Sequence, residues 1–221
     1  MNNITLISTE HIASGKCNPI ELHKIIESIK PDVIFEEETN DEKYHKYYND
    51  KNSFKSLEVQ SIKKYLENHD IKHIPVDIEL NKYLSFKEWD YMFDTFGKYD
   101  VYKQIEKEHC TLRDKYGFSY LNSDKCMVLF DEMKNTEKNL IEFSGFKKNE
   151  LNRIYNLFLK EHDNREKGML LNIYNYSKVN KYNQAVFLLG FAHRKSMIEK
   201  ISEYETKEKF KLNWTFYKDT Y

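Results

Sequence analysis

Residues 4–36, ITLISTEHIASGKCNPIELHKIIESIKPDVIFE, hold one complete strand–helix–strand unit. Ile4–Ser8 is a short β-branched run that reads as a strand, and Asn18-Pro19 offers an N-cap followed by a proline at the first helical position. Ile20, Leu22, Ile25, Ile26 and Ile29 follow at helical spacing until Pro31 stops the helix. Asp32–Glu36 is a second strand whose apolar residues are consecutive, the pattern of a strand covered on both faces. Strand, helix and covered strand in this order imply a parallel pair, and hence an α/β sheet rather than a sandwich or a bundle.

Working outward, a helix is expected over Phe54–Asn68, after a charged, Tyr-rich stretch from Asp41 to Asn52. A third strand is expected over Ile71–Ile78, with Pro75 pointing to an edge or bulge. From Ser85 to Asn180 the pattern is helical, with segments near 86–96, 98–115, 124–140 and 149–178. That block far exceeds the dozen or so residues a crossover needs, so it is read as a helical cap inserted over one end of the sheet. Ala185–Leu189 returns as a buried strand, 194–205 as a helix and Leu212–Tyr217 as a last strand. The expected architecture is a single α/β domain over 1–221. It has a mostly parallel sheet of about four or five strands flanked by helices, with residues 85–180 as the cap.

Composition narrows the function. The 35 Lys and Arg against 36 Asp and Glu leave a net charge of -1, so no global field favours nucleic acid or an anionic membrane. With 40% hydrophobic and 15% aromatic residues the chain can bury a core, which excludes overall disorder. Only six Gly and three Pro occur in 221 residues, against usual shares of about 7% and 5%, and neither GxGxxG nor GxxxxGK[ST] is present. A GxSxG elbow is absent as well, which argues against a serine hydrolase. The first residues lack a basic segment and a long apolar run, and no stretch of 18 apolar residues occurs, so neither a signal peptide nor a membrane span is expected. Cys17, Cys110 and Cys126, three thiols at unpatterned spacing, fit a reducing cytoplasm. The abundance of Lys, Asn, Ile and Tyr suggests an AT-rich bacterial genome.

Ligands of open parallel sheets sit at the carboxyl ends of the strands. Here those ends read Thr9-Glu10-His11, Glu36-Glu37-Glu38, Asp77 with Glu79, and Gly190-Phe191-Ala192-His193. His and Glu on one rim can act as a general base with its orienting partner, or as ligands of a divalent metal. Each residue also has a plainer reading: a histidine at a strand end as a hydrogen-bonded boundary residue, three glutamates as a solvated turn, Asp77 as a cap and Arg165 as a surface ion pair.

Four segments taken in order resemble the signatures of the TraB/PrgY and Tiki-like proteins, relatives of the erythromycin esterase-like and ChaN-like superfamily. Ser8-Thr9-Glu10-His11 resembles the G-T-x-H signature, and Val33–Glu37 the strand with glutamate that follows it. Arg165–Met169 resembles the R-x-x-x-M helix motif, with Asn172 where the esterase branch often has Asn. Val186–His193 resembles the closing strand with G-x-x-H. The resemblance spans about residues 4–200 and departs at Ser8, where a glycine is usual and where a side chain could crowd a ligand. It implies a cleft with His11, Glu36, Arg165 and His193 as catalytic residues, and with Glu10, Glu37, Asp77, Met169 and Asn172 contacting substrate. It also implies Mn, Co or Zn held by His11, Glu36 and His193 as one form of the site.

Three functions compete. The first is a hydrolase of an ester or amide in a small-molecule or peptide substrate. There His11 or His193 is the base, Glu36 orients it or binds metal, and Arg165 stabilises an oxyanion. The second is a non-catalytic, ChaN-like small-ligand binder, to which the Tyr-rich segment at Tyr44, Tyr47 and Tyr48 would contribute. The third is an interaction protein that presents Met127, Phe130 and Met133 from the helical middle to a partner.

Overall fold

The computed structural model describes residues 2–49, 56–79 and 84–218. Five strands, β1 (Asn3–Thr9), β2 (Val33–Thr39), β3 (Lys72–Asp77), β4 (Gln184–Gly190) and β5 (Asn213–Phe216), form one sheet in the order β3-β2-β4-β1-β5. Every pairing is parallel. The last strand to enter the middle, β4, separates β1 from β2, which brings the carboxyl ends of all three side by side.

Strand parity divides the core. Ile4, Leu6, Val33, Phe35, Ala185, Phe187 and Leu189 face one layer, where they meet Met169, Leu170, Ile173 and Tyr174 of α8 (Lys148–Val179) and Met197 and Ile201 of α9 (Arg194–Lys207). Ile7, Ile34, Val186 and Leu188 face the other, against α1 (Pro19–Ile29), α3 (Leu57–Leu66) and Phe118, Tyr120 and Leu121 of α6 (Phe118–Leu121). The α1 start is as read from the sequence: the Asn18 side chain accepts from the Ile20 and Glu21 amides, with Pro19 inside the cap. Phe54 and Lys55, included in the helix expected over Phe54–Asn68, lie outside the described residues, and Ser56 caps α3.

Pro75 does fall on an edge strand, and β2 changes register opposite it. Glu36 pairs with Pro75 but Thr39 pairs with Asp77, so three steps along β2 match two along β3. The extra residue bulges β2 at its glutamates and aims consecutive side chains in different directions.

The helical middle has two parts. At 1.5 Å per residue, the 32-residue α8 runs roughly 48 Å, about twice the length of a seven-residue strand. Its second half is therefore the crossover helix that covers the sheet, while its first half overhangs the carboxyl rim. There Leu151, Ile154 and Tyr155 share a separate core with Met92 and Phe96 of α4 (Phe86–Phe96), Tyr102 of α5 (Asp100–Tyr116) and Ile141 of α7 (Asp124–Glu142). The Met127, Phe130 and Met133 stripe is split: Met133 packs on two cores, whereas Met127 and Phe130 line different surface depressions. Cys17, Cys110 and Cys126 are free thiols, and among the described residues no helix is long and apolar enough to cross a membrane.

Candidate active site at the carboxyl rim

At the centre of the rim a histidine lies between two carboxylates. His193, which ends the short turn after β4, donates from Nδ1 to Glu166 Oε1 at 2.7 Å, and its Nε2 lies 3.3 Å from Glu37 Oε1. Glu37 comes from the β2 bulge. The Gly190 amide donates to its Oε2 at 2.6 Å, a contact close enough that a side chain at Gly190 would press on the carboxylate. Arg165, near the middle of α8, donates to Glu37 Oε1 at 2.6 Å and twice to Asp77 Oδ2 at 2.9 and 2.7 Å. Ser196 and Lys200 of α9 donate to the other oxygen of Glu166 at 2.6 and 2.8 Å. The cluster ties β2, β3, β4, α8 and α9 together at one point.

Its electrostatics favour ionised partners. Burial alone would lower the pKa of His193, but the hydrogen bonds to Glu166 and Glu37 prevail and raise it to about 9. Burial likewise opposes ionisation of Glu37, yet His193 and Arg165 hold it well below the usual carboxylate range. Glu166, against the same burial, is drawn down to about 2 by His193, Lys200 and Ser196. At neutral pH His193 is an imidazolium, so it is not a free base.

Beside this cluster lies a cavity of about 10 Å³ lined by Thr9, His11, Glu36, Glu37, Glu38 and Glu58. That is room for one water molecule. His11, half-exposed at its mouth, has Nδ1 3.3 Å from Glu58 Oε1 of α3. The Glu58 interaction, against burial, raises His11 to about 9. Glu38 is shifted the other way for its type: burial, followed by the charge of Glu36, pushes its carboxyl up to about 7. A carboxyl near neutrality and a protonated imidazole therefore border the same cavity.

The structure brings together Glu37, Asp77, Arg165 and His193 among the residues expected from the sequence, and separates others. Glu36 lies 2.8 Å from the Tyr44 hydroxyl and 2.9 Å from His73 Nδ1, and accepts from Tyr48 through its second oxygen. It contacts neither His11 nor His193, because strand parity turns it toward α2 (Glu42–Asn49) while Glu37 faces α8. Glu10 pairs with Arg113 of α5 at 2.6 Å. Met169 is fully buried in the sheet core, and Asn172 donates to the Val76 carbonyl at 2.8 Å, so both are framework. Arg165 is neutralised by two carboxylates, which gives it a positioning place rather than an open oxyanion site. Ser8 does not crowd the cleft. It is fully buried, and its hydroxyl accepts from Arg194 at 3.1 Å.

The donor set expected for Mn, Co or Zn does not fit. His11, Glu36 and His193 are each held by different partners, and among the described residues no three His, Cys, Asp or Glu side chains are arranged to hold a metal ion.

Sequence reasoning placed Glu38 on the rim without giving it a role, and missed Glu58 and Glu166, together with His162, whose ring stacks on that of His193 with centroids 4.8 Å apart. For two of these a signal existed: His162 and Glu166 are four residues apart on a helix and share the face that carries Arg165. Glu58 reaches the rim only through the packing of α3, which no local pattern encodes. No family model matches the chain, and neither does any curated protein or solved structure.

Proposed function

We propose that the protein is a hydrolase of an ester or amide whose water is activated by a carboxylate at the sheet's carboxyl rim. The observation that carries this reading is the water-sized cavity bordered by Glu38 and His11, two groups whose environments drive their pKa values to about 7 and about 9. In the order of events proposed, the Glu38 carboxylate takes a proton from water as the oxygen attacks the carbonyl carbon. The His11 imidazolium first steadies the developing oxyanion, then gives its proton to the leaving oxygen or nitrogen as the bond to carbon breaks. Proton return from Glu38 to His11, directly or through solvent, closes the cycle. Glu37, Arg165, Asp77, His193 and Glu166 are positioning residues that fix the rim around this pair. The ordered motifs resembling TraB/PrgY, Tiki-like and erythromycin esterase-like proteins support the same class of reaction, with Glu38 taking the base role first given to a histidine.

The test is hydrolysis of a panel of activated esters and anilides by the full chain. Glu38→Gln and His11→Gln each should lower kcat by about 10²- to 10⁴-fold. The pH profile of kcat/KM should rise through about 7, as Glu38 ionises, and fall above about 9, as His11 loses its proton. Activity unchanged in both variants would overturn the assignment, and ligand binding without turnover on any substrate would favour the non-catalytic binder of the same fold.

A further inference from the structure

On the far side of the Glu37–His193–Glu166 chain is a second, larger recess of about 120 Å³ under the overhang of α8. Phe130, Phe158, Leu159 and Ala192 give it apolar walls, and His162, Lys134 and Lys200 reach it as polar groups. Their states differ. Lys200 is already paired with Asp163 at 2.9 Å and Glu166 at 2.8 Å. His162 uses Nδ1 on the Phe158 carbonyl at 3.0 Å, and burial, aided by the His193 charge, lowers its pKa to about 4, so it is neutral. Lys134 is different: it lies over the Phe130 ring at 4.5 Å, is half-buried, and has no carboxylate within ion-pair distance among the described residues. Burial pulls its pKa below the usual lysine value, against the more distant charges of Glu166, Asp131 and Glu137. An ammonium that gives up part of its hydration with no carboxylate in direct contact carries a cost that an anion bound against it would relieve.

We propose that this recess binds a carboxylate attached to a single-ring-sized apolar body, with the ring between the Phe130 and Phe158 walls and the carboxylate on Lys134. The size argues for one ring, since a dry cavity of this order takes a benzene-sized guest. Charge argues for an anion, since the carboxylates in the wall, Asp163 and Glu166, are both spent on cations already present: Lys167 and Lys200 on Asp163, His193 and Lys200 on Glu166. Aromatic walls and one unpaired cation select a flat anionic ligand over an aliphatic alcohol or an amine. The site does not depend on turnover at the rim, although an occupant would rest against Glu166 and so against the partner of His193.

Phenylacetate titrated into the full chain provides the probe, and the Trp89 indole, 5.3 Å from the Phe158 ring and 6.1 Å from the His162 ring, provides the signal. A saturable change in tryptophan emission is expected, and Trp89→Phe should abolish that signal while calorimetry still detects binding. Lys134→Gln should weaken binding roughly tenfold or more, Lys134→Arg should restore it, and the neutral phenylacetamide should bind the unaltered protein roughly tenfold more weakly. Glu38→Gln should leave phenylacetate affinity unchanged, which separates this site from the hydrolase assignment. Absence of saturable binding at millimolar ligand, or equal affinity of acid, amide and Lys134→Gln, would overturn the proposal.

Discussion

His193 shows how much one side chain can be altered by its setting. Its pKa rises from 6.5 to about 9 on folding, so its contribution to stability is complete below about 6.5 and is lost as pH climbs through about 9. Glu166 has the opposite sign: lowered from 4.5 to about 2, it contributes above about 4.5 and loses its contribution only as pH falls through about 2. Glu38, raised to about 7, destabilises the fold once the unfolded carboxyl would ionise. Together these groups make the melting temperature fall between about pH 4.5 and pH 9, through Glu38 up to about 7 and through His193 from about 6.5 upward. His193→Gln should flatten that slope, at the cost of roughly 3–5 kcal/mol for leaving two carboxylates without their partner. A pH slope unchanged in the variant would show that His193 is not the imidazolium described. The sequence made His193 and Arg165 visible because they end a strand and mark a motif. It could not choose between Glu36 and Glu37, because alternation along a strand says that neighbours face opposite layers but not which layer the site occupies.

At the scale of elements, the register change in β2 and the length of α8 do most to build the site. The strand itself was legible from Asp32–Glu36, and Pro75 correctly marked β3 as an edge. Pro75 also signalled a bulge, but that the extra residue belongs to β2 was not legible, because which strand carries it depends on the pairing partner. The α8 helix was likewise read as a helix over 149–178, while its division into a crossover half and an overhang is a matter of length against the sheet. Its approach to the sheet is set at Gly168, where an added Cβ would come within 2.6 Å of the Ile78 side chain. A helical Gly→Ala change ordinarily stabilises by about 1 kcal/mol. Here overpacking costs about 1–3 kcal/mol, so the urea midpoint of Gly168→Ala should fall and activity should drop with it as Arg165 is lifted from Asp77. A raised midpoint would mean that α8 and Ile78 are not in such close contact.

Across the whole molecule, the sheet order was beyond sequence reasoning because it depends on where β4 inserts, and β4 follows β3 only after the entire helical middle. The same separation governs how β1 is finished. Its ladder with β5 stops where the Leu6 carbonyl accepts from the Tyr217 amide at 2.9 Å. Two residues on, the Asn122 side chain takes over: its oxygen accepts from the Ser8 amide at 2.7 Å and its nitrogen donates to the Ser8 carbonyl at 3.0 Å. Arg194 donates to the same Asn122 oxygen at 2.8 Å and to the Tyr217 carbonyl at 3.0 Å. Asn122→Ala would orphan these buried groups, so a loss of at least about 2 kcal/mol in urea unfolding is expected, together with faster hydrogen exchange at the Ser8 amide. Exchange at Ser8 as slow as in the unaltered protein would show that something else closes the ladder.

The partners of Ser8 lie 114 and 186 positions further along the chain. No stretch of chain near β1 can finish it: its last polar groups are closed only by Asn122 and Arg194, from beyond the first strand–helix–strand unit. Because the same closure sets Thr9 beside Gly190 and so places the end of β1 against the turn that carries His193, the rim is a product of the completed sheet and of no smaller part of it.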